Sequence, residues 1–106
     1  MAIIVLLSTT TEKKEDAENI AKELLNKRLI ACAQISGPVS SHYRWQGKLE
    51  HSEEFVLSVK SASHLFEQVK AAIAALHPYE LPEVIGNSAL ETTEDYFQWV
   101  LGEVAQ

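Results

Sequence analysis

A chain of 106 residues that is 46% hydrophobic and 23% charged is apolar enough to fold, and has room for one domain with one core. Its formal net charge of −6, with nine Lys and Arg that form no basic face, excludes a nucleic-acid binder. No apolar run approaches the ~20 residues of a membrane span, so no membrane insertion is expected.

The opening run, Ile3 to Leu7, is rich in branched residues and reads as a central strand buried on both faces. It starts after Met1-Ala2 without the basic region of a signal peptide. Thr9 and Glu12 have capping-box spacing and predict a helix from there to about Arg28. Acidic residues lead that helix and Lys27 and Arg28 close it, the order its dipole favours. Ala17, Ile20, Ala21, Leu24 and Leu25 give it one apolar face.

Leu29 to Ile35 predicts a second strand, and Ser36-Gly37-Pro38 a bulge or bend within it. The strand pattern resumes from Ser41 to Trp45, with Tyr43 and Trp45 on one face and His42 and Arg44 on the other. Gln46-Gly47 is a two-residue hairpin turn. From Lys48 the chain returns with Glu53, Phe55, Leu57 and Val59 on one face, and Glu54, Val56, Ser58 and Lys60 on the other. The arms exceed the roughly six residues usual for a strand, so the hairpin overhangs a small domain and needs something to pack on.

Ser61 or Ser63 is placed to cap the next helix, whose stripe is Leu65, Val69, Ala72, Ile73 and Leu76. Val84 to Ser88 makes a fourth strand. Thr92 and Asp95 start a last helix, in which Tyr96, Trp99, Val100 and Val104 face inward. The order strand, helix, strand, strand, helix, strand predicts an α+β ferredoxin-like sandwich (βαββαβ) with a C-terminal helix and a long hairpin between its second and third strands. One sheet face is left bare, and further copies of the chain are the natural cover.

The densest chemistry lies in Leu76-His77-Pro78-Tyr79-Glu80-Leu81-Pro82-Glu83. Pro78 and Pro82 each force extended geometry on the residue before them, so the helix stops at His77, and His77, Tyr79 and Glu83 sit on a stiff connector. His77 suits Cu(II) or Zn(II), and equally suits a helix C-terminus. Cys32 offers a thiolate for Cu(I), although a lone strand cysteine is more often a small core residue. As the single cysteine it makes no internal disulfide, which points to a reducing cytoplasmic setting. Lys60, near Glu83 or Glu53 in such a fold, reads as a cleft residue for an anion or as an interface ion pair. His42, His51 and His64 are scattered along the chain, with no metal-ligand spacing.

Taken together, Ala31-Cys32-Ala33, Tyr43-Arg44-Trp45-Gln46-Gly47-Lys48-Leu49-Glu50, Lys60, His77-Pro78-Tyr79 with Pro82-Glu83, and Tyr96-Phe97-Gln98-Trp99 resemble the CutA divalent-cation tolerance family over nearly the whole chain. The resemblance implies a cytoplasmic homotrimer similar in arrangement to PII signalling proteins, with hairpins crossing between subunits. It also implies tolerance of copper and other divalent cations, no catalytic reaction and no required cofactor. Lys60, Tyr79, Glu83, Tyr43, Trp45 and Glu53 fall at its intersubunit clefts, with His77 and Cys32 as the remaining metal donors. Family members with a cysteine at Ser8 and a histidine at Leu76 have ligands that this chain lacks, so weak copper binding is the expectation. The alternative is a PII-like trimeric sensor or scaffold that binds a small anion or a protein partner, with metals incidental.

Overall fold

The computed structural model describes all 106 residues. In chain order they form β1 (Ile3–Thr11), α1 (Lys14–Asn26), β2 (Cys32–Trp45), β3 (Lys48–Ser61), a single 3-10 turn (Ser63–Leu65), α2 (Phe66–Leu76), β4 (Ile85–Glu91) and α3 (Glu94–Glu103). The sheet runs β2-β3-β1-β4 with every pair antiparallel. This is the order of two interleaved split βαβ units, as the element pattern predicts. The core joins Val5, Leu7, Leu57 and Val59 of the sheet to Ala17, Ile20, Ala21 and Leu24 of α1 and Val69 and Ile73 of α2. Both helices therefore cover one sheet face.

Several boundaries differ from the sequence reading, each for a local reason. β1 runs on through the threonines to Thr11, because β3 offers partners as far as Phe55. Thr9 is thus a fully buried strand residue and caps nothing; α1 begins after Lys13, which makes no side-chain cap. Lys27 and Arg28 lie beyond the helix, in a Schellman ending. The Leu29 amide donates to the Leu24 carbonyl and that of Arg28 to Leu25, with Arg28 left-handed at φ 57°. Neither Ser61 nor Ser63 caps α2, and the Ser61 hydroxyl instead donates to the Leu29 carbonyl at 2.6 Å. The cap of α3 is Thr93, whose hydroxyl accepts from the Tyr96 amide. Trp99, expected inside, is 44% exposed, while Val100 and Val104 are buried.

The long hairpin is as expected. β2 and β3 have 14 residues each, and register shifts once, between Ser36 and Val39. Gln46 and Gly47, at φ 50° and 78°, turn it, which matches the strand twist. Beyond the bulge the ribbon projects, and the molecule measures 45 × 25 × 22 Å. On the face away from α1 and α2, Leu6, Ser8, Val56, Ser58 and Lys60 are half-buried. β1 is central in the sheet, yet a single chain does not bury it on both faces.

Candidate functional site

The site grows from the place where β4 gives out. β1 pairs with β4 only as far as Ser8 opposite Ile85, so the β1 edge at Thr10 lacks a strand partner. His77, at the C-cap of α2, fills it. Its Nε2 lies 2.8 Å from the Thr10 carbonyl oxygen, while its Nδ1 accepts the Tyr79 amide at 3.1 Å. An Nδ1 that accepts carries no proton, so Nε2 is the donor to Thr10. His77 is 8% exposed and has both ring nitrogens engaged. It is a structural clasp between connector and sheet in the single chain.

The clasp aims Tyr79. Its ring lies 4.7 Å from that of His77, and its hydroxyl donates to Glu54 Oε2 at 2.7 Å. Glu54 is 8% exposed. Burial would raise its pKa, but hydrogen bonds with Ser41, Tyr79 and Thr10 and the neighbouring His77 outweigh that, so it is lowered overall. Burial first, then the bond to Glu54, raises the Tyr79 phenol well above its usual value. The carboxylate is therefore held ionised and the phenol protonated.

Around this pair opens a cavity of about 600 Å³. The connector contributes Tyr79, Glu80, Leu81 and Glu83, β1 and its end Thr10 and Glu12, and the hairpin Ser41, His42, Tyr43, Trp45, Ser52 and Glu54. Four carboxylates line it, and no Lys or Arg does.

Of the residues singled out in the sequence, Tyr79, Glu83, Tyr43 and Trp45 meet at this cleft. Glu53 and Lys60 do not. Glu54 takes the place given to Glu53: successive strand residues face opposite ways, and the even-numbered side of β3 is the one that meets Thr10. Lys60 pairs with Leu6 and Cys32, toward the other end of the sheet. Its Nζ donates to Gln34 Oε1 at 2.7 Å, and no carboxylate bridges it. Cys32 is there too, half-buried, with Sγ 3.6 Å from the Tyr96 hydroxyl. Burial and that thiol push the Tyr96 phenol up to about 12. Cys32 and His77 are thus not brought together, and no group of three or more His, Cys, Asp or Glu in the chain is arranged to hold a metal.

Comparison with known proteins agrees with this architecture from end to end. The family described as CutA1 divalent ion tolerance protein matches residues 5–103. The divalent-cation tolerance protein CutA of Thermus thermophilus is 38% identical over 94% of this chain and 95% of its own. That of Pyrococcus horikoshii is 36% identical over 94% and 97%. The crystal structure of the divalent ion tolerance protein CutA1 from Ehrlichia chaffeensis superposes with a TM-score of 0.92 at 34% identity, over 100% of this chain and 99% of that one. The Archaeoglobus fulgidus structure, described as a periplasmic divalent cation tolerance protein, gives 0.89 at 32%, over 96% and 99%. With sequence, strand order and the long hairpin in accord over the whole length, this chain belongs to the CutA1 divalent ion tolerance family.

Proposed function

We propose that the chain serves in tolerance of divalent cations, copper among them, as a cytoplasmic homotrimer that binds metal weakly at clefts on its subunit boundaries and catalyses no reaction. The family match supports the role, and the names of its relatives denote tolerance and no reaction. The observation that carries the binding reading is the charge of the cleft: Glu12, Glu54, Glu80 and Glu83 line it without an opposing cation. Such a lining attracts a divalent cation and repels a small anion. That disfavours the alternative of an anion-binding PII-like sensor, because none of the cationic residues that would favour it, Lys60, Arg44 and Lys48, lines the cleft.

The lone thiol Cys32 supports the cytoplasmic reading, because a reducing compartment keeps a thiol free. For Cys32 to ligate copper, a neighbouring subunit has to complete its donor set. For His77, the ring has to release Thr10. Both requirements weaken binding and suit a low-affinity role.

Native mass spectrometry with Cu(II), in the absence of oxidant, tests the proposal. The expected result is a trimer that takes up copper, with less uptake after Glu83→Gln and after His77→Ala. A trimer that remains metal-free at ~100-fold excess of Cu(II) rules out the binding reading, and a monomer rules out the clefts.

A further inference from the structure

Sequence spacing leaves the histidines scattered, but strand pairing does not. His42 and His51 are directly opposite across the β2–β3 ribbon. Their rings stack with centroids 4.5 Å apart and planes 22° from parallel. Both residues are exposed, and neither ring has a hydrogen-bond partner in the chain, whereas His64 bonds the Ala105 carbonyl and His77 the Thr10 carbonyl. The ring nitrogens of the pair are therefore free to coordinate.

We propose that His42 and His51 form a two-histidine chelate for a borderline transition-metal dication, Cu(II) before Zn(II), on the exposed arm of the hairpin. Metal–imidazole nitrogen bonds of about 2.0–2.1 Å place two ligands of one ion roughly 3 Å apart. Directly paired strand residues have Cβ atoms about 4.5–5.5 Å apart, so their rings meet one ion by small rotations about broad χ2 wells. The ribbon has already brought the donors together, so little chain ordering opposes binding. With no third His, Cys, Asp or Glu grouped with them, water completes the coordination shell. Imidazole donors favour Cu(II) by ligand type and by the general affinity order of divalent metals. The site gives the divalent-cation reading a pair of donors other than Cys32 and His77, and since His42 also lines the acidic cleft, it rests in part on that reading.

Calorimetric titration of the full chain with Cu(II), joined to electron paramagnetic resonance of the bound ion, tests it. The expected result is one Cu(II) per chain at this site, with coupling to two nitrogens. His42→Gln and His51→Gln should each weaken that event at least tenfold, and the double variant little further, because one imidazole alone no longer chelates. His64→Gln should leave it unchanged. All three positions are exposed, and circular dichroism verifies that each variant folds. Cu(II) binding that is equally tight in His42→Gln and His51→Gln overturns the proposal. Binding lost only in Cys32→Ser or His77→Ala also overturns it, while sparing the cleft reading. Binding lost only in the hairpin variants supports it and removes Cys32 and His77 as donors.

Discussion

Glu54 sits where a carboxylate is costly, and the connector makes it tolerable. Hydrogen bonds with Ser41, Tyr79 and Thr10, together with nearby His77, overcome burial and lower its pKa. A lowered folded-state pKa contributes stability that is fully present above the unfolded value, near 4.5. It is lost as pH falls through the folded value. Glu54→Gln should therefore destabilise the protein by about 1–3 kcal/mol at neutral pH. Thermal unfolding of both proteins should show the gap closing as pH drops from 6 toward 3. A gap that stays constant over that range would mean that the carboxylate charge is not what matters. The neighbouring choice, Glu53, shows how a strand reading fails: the alternation was legible, but which side would meet Thr10 depended on where the connector crosses β1.

The hairpin owes its reach to its bulge. Gly37 adopts φ +138°, and a Cβ there would lie 2.9 Å from the Glu54 carbonyl oxygen and 3.0 Å from the Phe55 ring. Neither the conformation nor the space suits another residue. Gly37→Ala should lower stability by roughly 1–3 kcal/mol, as expected of a strained backbone position, and shift Glu54 against Tyr79. Urea denaturation measures it, and a loss below ~0.5 kcal/mol, the range of an ordinary surface change, would show that the bulge accommodates a side chain. The Gly-Pro pair pointed to this irregularity from the sequence. The Schellman ending at Arg28 gave no such sign, because a left-handed arginine is unusual and only tertiary packing, with the Arg28 carbonyl accepting the Ala105 amide at 2.7 Å, holds it.

Taken whole, the chain buries only 21 of its 106 residues, a small core for independent stability. Leu49, Leu81 and Ile85 are 77%, 69% and 61% exposed, and Tyr43 and Trp45 lie open at the cleft. These surfaces suit burial between copies, as an assembly of three would provide. If assembly stabilises the fold, the unfolding midpoint should rise with protein concentration. A midpoint that is unchanged over a ~100-fold dilution, measured by fluorescence of Trp45 and Trp99, would assign stability to the single chain.

Periodicity and turn chemistry determined the elements, their order and the hairpin, because apolar spacing and residues such as Gly47 act over a few positions along the chain. The motifs of the connector and hairpin likewise identified the family before any coordinates. The two-residue turn at Gln46-Gly47 already sets His42 opposite His51. Only tertiary structure decided that Glu54 and not Glu53 meets Tyr79, that Lys60 stands apart from the cleft, and that His77 is consumed as a clasp. Those outcomes depend on register and on where strand edges end, and both are set by contacts between residues far apart in sequence.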